Sequence, residues 1–235
     1  MLCAYFKTIK DAYNLECDQL LRYGYTISRK AISPTDIEKQ NVALALQIFA
    51  ESGPNAIRVV GGKHKLNHYE ETATFIDIIV KWWKVVNVKT PFKGFRLRDE
   101  FQKRVFPSSR DPKVSFLYDL LDWLDAWQEK NTNACRLTDE THGALCQTTQ
   151  ALVEIARYCF DELHLSFVLL GKFQTDLLED RFVKYRRLAG YHYHVSIRQL
   201  YESENKLRLQ STLPRVSTSA ANHTDEDQNW EAFQE

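Results

Sequence analysis

The chain has 235 residues, of which 44% are hydrophobic and 12% aromatic, so it can bury a core, and a disordered protein is excluded. Its 31 basic and 31 acidic residues balance, which excludes a global field that would hold it on nucleic acid or anionic lipid. The five cysteines are widely spaced without a C-x-x-C pair, which argues against a disulfide framework and a zinc module and favours an intracellular location. No apolar run approaches the roughly 20 residues of a membrane span, so no membrane partner is predicted.

The amino-terminal segment carries apolar residues at helical spacing, which predicts one helix from at or before Met1 to about Gly24. Three acids on this helix, Asp11, Glu16 and Asp18, are predicted to be exposed surface charges. A chain that starts inside a helix is expected to be truncated.

The middle of the chain is predicted to be helical. Ser33 and Pro34 begin one helix, the Gly61-Gly62 pair ends a second, and residues 70–86 form a third that is rich in bulky apolar side chains.

Two further helices are predicted before residue 165, one striped with apolar residues from Phe116 to Trp127 and one from Leu145 through Leu163. His142 lacks a partner at ligand spacing and is interpreted as an ordinary polar residue.

An apolar run from Phe167 to Leu170 predicts a strand, and a helix with two acids in its first turn follows. Asp176 and Glu179 lie three residues apart, so their side chains share a face near the start of that helix. This spacing is also that of a capping box, in which both side chains satisfy backbone N–H groups and do no chemistry. The spacing alone does not separate a catalytic pair from a cap.

The segment from Arg181 to Leu209 is basic, and tyrosines are interleaved with its positive charges. Basic residues beside aromatic rings suit a DNA backbone and its unpaired bases; the alternative is a solvated helix face. The candidate DNA-binding residues are Lys184, Arg186, Arg187 and Arg198. After Leu213 the sequence is polar and acidic and predicts a disordered tail.

The stretch GKFQTDLLEDRFVKYRRLAGYHYHVSIRQLYESE resembles the C-terminal part of the RNase H-like catalytic domain of P-element-type transposases, the family that includes transposases with an N-terminal THAP zinc finger. The resemblance implies that Glu179 is the last of three catalytic acids and a metal ligand, with Asp176 as the accompanying acid. It also implies two Mg²⁺ ions in a completed active site. Relatives place the other two acids upstream, one in a D-x-x-H-L-x-K-like stretch, which this sequence lacks.

The stretch SRKAISPTDIEKQNVALALQIF is similar to the opening of the GTP-binding insertion domain of the same transposases. A family element that reads aromatic–Asp–x–x–Asn matches Trp83, Lys84 and Asn87, which are the candidate nucleotide-binding residues. Lys84 replaces a carboxylate that accepts two guanine hydrogen bonds, and an ammonium cannot accept them. GTP binding is therefore in question, and the alternative is that Trp82 and Trp83 simply pack in the core.

These patterns and the resemblance together predict a mainly α chain: a helical insertion domain, the strand–helix end of an RNase H-like α/β fold, and a disordered acidic tail. The expected segments are 1–32 (connecting helix), 33–165 (insertion domain), 166–210 (catalytic-domain end) and 211–235 (tail).

The implied function is that of a fragment of a nuclear DNA transposase, inactive alone, whose parent cleaves and joins DNA. Its implied partners are transposon ends and a full-length transposase or a second copy of itself. The alternative is a domesticated, non-catalytic interaction or DNA-binding protein.

Overall fold

The computed structural model describes residues 3–107, 111–130, 136–191 and 194–212, and this part of the chain is mainly helical, as predicted. The helices are α1 (Phe6–Glu16), α2 (Arg29–Ile32), α3 (Val42–Ile48), α4 (Ser52–His64), α5 (Tyr69–Val86), α6 (Lys93–Arg96), α7 (Pro112–Lys130), α8 (Asp139–Asp161), α9 (Asp176–Leu188) and α10 (Ile197–Thr212). Short 3₁₀ turns span Glu38–Gln40, Glu100–Gln102 and Leu170–Phe173.

The first helix is shorter than the sequence predicts, because α1 begins at Phe6 and ends at Glu16. Glu16 is buried rather than exposed, and its carboxylate accepts hydrogen bonds from the backbone N–H groups of Tyr23 (2.9 Å) and Gly24 (3.0 Å). A buried carboxylate needs such donors. Glu16, which was expected to be exposed, therefore holds the backbone of Tyr23 and Gly24 against the end of α1.

A first hydrophobic core is formed mainly by α1, α4 and α5. Gly61 of α4 lies against the ring of Tyr69, and a Cβ at this position would collide with that ring. Glycine thus permits the close approach of α4 and α5. The buried apolar residues of this core are Ile9, Ile27, Ala31, Ile32, Ile48, Ile57, Ala73, Ile76 and Val80.

A second core is formed by the end of α5 together with α7, α8 and two loops. Its buried residues are Val85, Val86, Val105, Leu117, Leu152, Val153, Ala156, Cys159, Val168 and Leu170. At its edge Lys113 is 1% exposed, and its ammonium lies 2.9 Å from Asp111 Oδ1. The Asp111 carboxylate also accepts the backbone N–H groups of Lys113 and Phe106, so the buried pair is hydrogen-bonded at the start of α7.

The strand expected at Phe167 to Leu170 is present as a single antiparallel bridge between Val105 and Val168. No longer strand forms within the described ranges. The strand ends early because the Gly171 N–H donates to Val88 O (3.0 Å) and the chain there forms a 3₁₀ helix. A Cβ at Gly171 would lie 2.9 Å from that same oxygen. The segment is thus anchored on the loop after α5 instead of extending along a sheet.

The chain divides into two compact units, residues 1–174 and 175–235. In the second unit α9 packs on α10. The predicted tail lies outside the described residues from position 213 onward, and α10 itself continues to Thr212.

Cys3 is disulfide-bonded, in contrast to the expectation from the cysteine spacing, whereas Cys17, Cys146 and Cys159 are free thiols. None of the described helices combines the length and the apolar character that crossing a bilayer requires.

Candidate functional site

The carboxyl-terminal end of α5 carries the three residues predicted to bind nucleotide, with Trp83 and Lys84 in its last turn and Asn87 directly after it. The helix opens with Glu70 and Glu71 in its first turn, where negative charge suits the helix dipole. Asn87 is the residue after the helix, and its N–H donates to Trp83 O at 3.0 Å. The three side chains therefore come from one turn, but they meet different surroundings.

Lys84 is engaged in ion pairs with its own chain. Its ammonium lies 2.7 Å from Glu51 Oε1 and 2.9 Å from Asp99 Oδ2, and its side chain is only 24% exposed. Burial alone would lower the pKa of Lys84, but the hydrogen bonds to Glu51 and Asp99 outweigh it and raise that pKa. Burial likewise opposes the charge of Asp99, whose pKa is nevertheless lowered by Lys84 and by Gln102. Lys84 thus joins the start of α4 to the loop before residue 100.

Trp83 is half-buried and packs against the second core together with Trp82, with ring centroids 6.2 Å apart. Trp82 is tied to α8 by a hydrogen bond from its indole N–H to Thr149 Oγ1 (3.0 Å). Asn87 Oδ1 is buried and has no hydrogen-bond partner within the part of the chain that the structure describes. An acceptor at this depth reaches a ligand only if its neighbours move.

Positive charge gathers beside this turn, on the loop after α5 and on α6. Lys93 is half-buried, and burial lowers its pKa, helped by the charges of Lys89 and Arg96. Such a cluster of cations favours an anion as its neighbour, because each further negative charge offsets their mutual repulsion.

The predicted catalytic pair lies on the first turn of α9, in the second unit. Both side chains are exposed, and the Thr175 hydroxyl donates to Glu179 Oε1 at 3.0 Å. Thr175 is the N-cap residue, so Asp176 and Glu179 occupy the first and fourth helical positions. A capping box needs the N-cap and third positions. The capping alternative therefore does not match the geometry of this helix.

The predicted DNA-binding residues divide into two groups. Lys184, Arg186 and Arg187 on α9 are exposed and have no ion-pair partner among the described residues. Arg198 on α10 is also exposed, but its guanidinium lies 2.9 Å from Glu202 one turn later. The three α9 cations are thus available to a polyanion, whereas Arg198 is partly neutralised.

Hydrogen bonds to Glu204 of α10 join it to α9. The Glu204 carboxylate accepts them from the Tyr185 hydroxyl and the Arg181 guanidinium, each at 2.6 Å. The hydrogen bond from Tyr185 has the larger effect and the one from Arg181 the next, and together they lower the pKa of Glu204 to about 2. Arg208 on α10 adds a third contact at 3.3 Å.

One group of potential ligands was missed by the sequence reasoning. Asp125 on α7 and His142 and Cys146 on α8 bring their ligand atoms within 4.8 Å of one another. His142 does have a partner at ligand spacing, because Cys146 follows it by one helical turn. The i, i+4 spacing was the available signal, and only the packing of α7 on α8 adds Asp125. Within the described residues this is the one such group of three, and Glu179 is not a member.

No family model and no curated protein matches this chain. Among solved structures it is similar to the Drosophila P element transposase in its strand transfer complex, with a TM-score of 0.68 and 19% sequence identity. The fold is transposase-like. The match covers 88% of this chain and 45% of that one, so the chain spans less than half the length of its transposase neighbour.

The transposase-like fold confirms the coarser part of the resemblance drawn from the sequence. The similarity concerns the arrangement of the backbone alone, because the two sequences are only 19% identical. The similarity does not test the roles predicted for Glu179, Trp83, Lys84 and the basic residues.

Proposed function

We propose that this chain is a transposase-derived protein that supplies one of three catalytic acids, Glu179, and that it does not cleave DNA alone. The observation that carries this proposal is the transposase-like fold over 88% of the chain. The stretch around Glu179 that resembles P-element-type transposases supports it, as does the exposed position of that carboxylate on the first turn of α9.

The chemistry proposed for the completed assembly is phosphodiester hydrolysis and strand transfer. Paired Mg²⁺ ions in such a site activate the attacking oxygen and stabilise the leaving one. Asp176 and Glu179 supply only two carboxylates, both from one helical turn, whereas the site needs three acids from different parts of the chain. The sequence also lacks the D-x-x-H-L-x-K-like stretch that carries one of the other acids in relatives. We therefore assign Mg²⁺ only to a completed active site, in which the other acids come from outside this sequence, for example from a full-length transposase.

DNA is the proposed partner of the second unit. The solved neighbour is a transposase in a strand transfer complex, and this chain exposes Lys184, Arg186 and Arg187 without intramolecular ion pairs among its described residues. Neutralisation of phosphates by such cations supplies affinity without sequence selectivity. A nuclear location follows from this proposal.

The helical first unit is proposed to act mainly as a scaffold. Lys84 is held by Glu51 and Asp99, Trp83 packs on the second core, and the Oδ1 acceptor of Asn87 is buried, so none of the three offers a guanine base an open contact. Weak binding of nucleotide phosphates by the cations near Lys93 is compatible with this assignment, whereas guanine selectivity is not.

The role of Glu179 is tested by complementation. A P-element-type transposase whose own last catalytic Glu is replaced by Gln is mixed with this chain, and cleavage of transposon-end DNA is measured with Mg²⁺. We expect cleavage with the unaltered chain and none with Glu179→Gln.

The matched control is Asp180→Asn, which removes an exposed charge one residue away and should support cleavage as well as the unaltered chain does. Because Glu179 is exposed, Glu179→Gln should change the free energy of unfolding by less than about 0.5 kcal/mol. A loss above about 2 kcal/mol would instead show that Glu179 has a structural role. Cleavage restored equally by Glu179→Gln would refute the catalytic role.

A second candidate function is a non-catalytic interaction or DNA-binding protein. The Lys84 network favours it, because that network occupies the position of an expected ligand contact while it supports the fold. In the complementation experiment this function predicts DNA binding by the chain but no cleavage under any condition.

A further inference from the structure

Asp125, His142 and Cys146 bring a carboxylate, an imidazole and a thiol together at separations that a transition-metal ion can bridge. His142 Nε2 lies 3.4 Å from Asp125 Oδ1 and 3.5 Å from Cys146 Sγ. Tetrahedral zinc with bonds of about 2.0 Å to nitrogen and oxygen and about 2.3 Å to sulfur separates its ligand atoms by about 3.3 Å (N to O) and about 3.5 Å (N to S). Both of these separations suit one ion, and the ligand atoms of the third pair, Asp125 and Cys146, lie within 4.8 Å of each other.

The helices that carry the ligands are well supported. His142 and Cys146 lie one turn apart on α8, so both side chains project from the same face. The Thr138 hydroxyl accepts the Thr141 N–H and caps the start of that helix. Asp125 comes from α7, which packs on α8 through the second core. Ligands on rigid helices keep their spacing without a bound ion.

Exposure leaves one side of this group open. The Asp125 side chain is 69% exposed, the His142 side chain is 18% exposed, and Cys146 is half-buried. An ion can thus enter past the carboxylate, and a water molecule can complete the tetrahedron. Imidazole and thiolate favour zinc over Mg²⁺ or Ca²⁺, which prefer ligand sets made only of oxygen.

We propose that Asp125, His142 and Cys146 bind one Zn²⁺ ion that links α7 to α8, with water as the fourth ligand. The site lies in the first unit and is independent of the Mg²⁺ assigned to Glu179. It does not depend on the transposase function.

Burial, and then the charge of Asp125, raise the pKa of the Cys146 thiol. Zinc binds the thiolate, so the thiol proton leaves when the ion binds.

The test is titration of the chelator-treated full chain with Co²⁺, followed by its thiolate-to-cobalt charge-transfer absorption, and then displacement by Zn²⁺. We expect a band that saturates at one ion per chain, is lost in Cys146→Ser, and is reversed by zinc. Cys17→Ser is the matched control, because Cys17 is an exposed thiol at the end of α1, and this variant should keep the band.

The other two ligands are tested by Asp125→Asn and His142→Ala, each expected to weaken cobalt binding about tenfold or more. Asp125 is largely exposed, so Asp125→Asn should fold normally, and circular dichroism checks this for every variant. Absence of the band in the unaltered chain, its persistence in Cys146→Ser, or unchanged affinity in Asp125→Asn would overturn the three-ligand site. In that case the 3.4 and 3.5 Å contacts are an ion pair and a thiol hydrogen bond only.

Discussion

Lys84 occupies the position where the resemblance to transposases expects a carboxylate, and it binds two carboxylates of its own chain. Its contacts with Glu51 and Asp99 join α4, α5 and the loop before residue 100. A residue predicted to contact a nucleotide thus has two ion-pair partners within its own chain.

Replacement of Lys84 by Met tests that role. It leaves Glu51 and Asp99 without their shared cation, so we expect the free energy of unfolding to fall by about 1–2 kcal/mol in chemical denaturation. Lys63→Met, which alters an exposed lysine on α4, should have little effect. Titration with fluorescent GTP and ATP in Mg²⁺ should show no preference for GTP in either protein. Selective GTP binding by the unaltered chain that Lys84→Met abolishes would show that Lys84 is a nucleotide ligand.

At the scale of single residues, the sequence did not show which side chains contact one another in the fold. The Lys84 replacement is visible in one motif, whereas its partners lie 33 and 15 residues away along the chain and meet it only in the fold. Glu16 was expected in solvent because acids on helices are commonly exposed. Its burial depends on Tyr23 and Gly24 turning back over it.

At the scale of elements, the α9–α10 hairpin depends on one ionised side chain. Glu204 has a pKa of about 2 in the folded chain, against a reference value of 4.5. A lowered folded pKa means that its contribution to stability is complete above pH 4.5 and is lost as pH falls from there toward 2.

We therefore expect the contacts of Tyr185 with Glu204 to loosen over that acidic range, as followed by NMR shifts of the Tyr185 ring in the full chain. Glu204→Gln should remove this pH dependence. Glu202→Gln, which breaks the exposed pair with Arg198 on the same helix, should leave it in place. A transition that persists in Glu204→Gln would assign it to another group.

For the whole molecule, the balance of 31 basic and 31 acidic residues means that the proposed DNA binding must come from a local surface. The proposed surface consists of Lys184, Arg186 and Arg187, whose side chains are exposed on α9. Arg198 should matter less, because Glu202 already neutralises much of its charge.

The triple substitution of these three α9 residues by Ala should weaken binding to duplex DNA. The slope of log affinity against log salt should fall by about 2–3, because each phosphate contact contributes about 0.9. A triple Ala variant at Lys7, Lys63 and Lys65 removes the same charge from the first unit and is the control. Equal slopes for the two variants would show that the α9 surface is not the DNA site.

The sequence by itself determined the helical class of this protein, the approximate positions of its long helices and its resemblance to transposases. Helical periodicity and sequence motifs are local properties, so they can be read without the fold. Only the tertiary structure decided that the segment at 167–170 forms one bridge to Val105, that Lys84 pairs with Glu51 and Asp99, and that Asp125 lies beside His142 and Cys146. Each of these depends on contacts between residues far apart in the chain, which are set by how the helices pack.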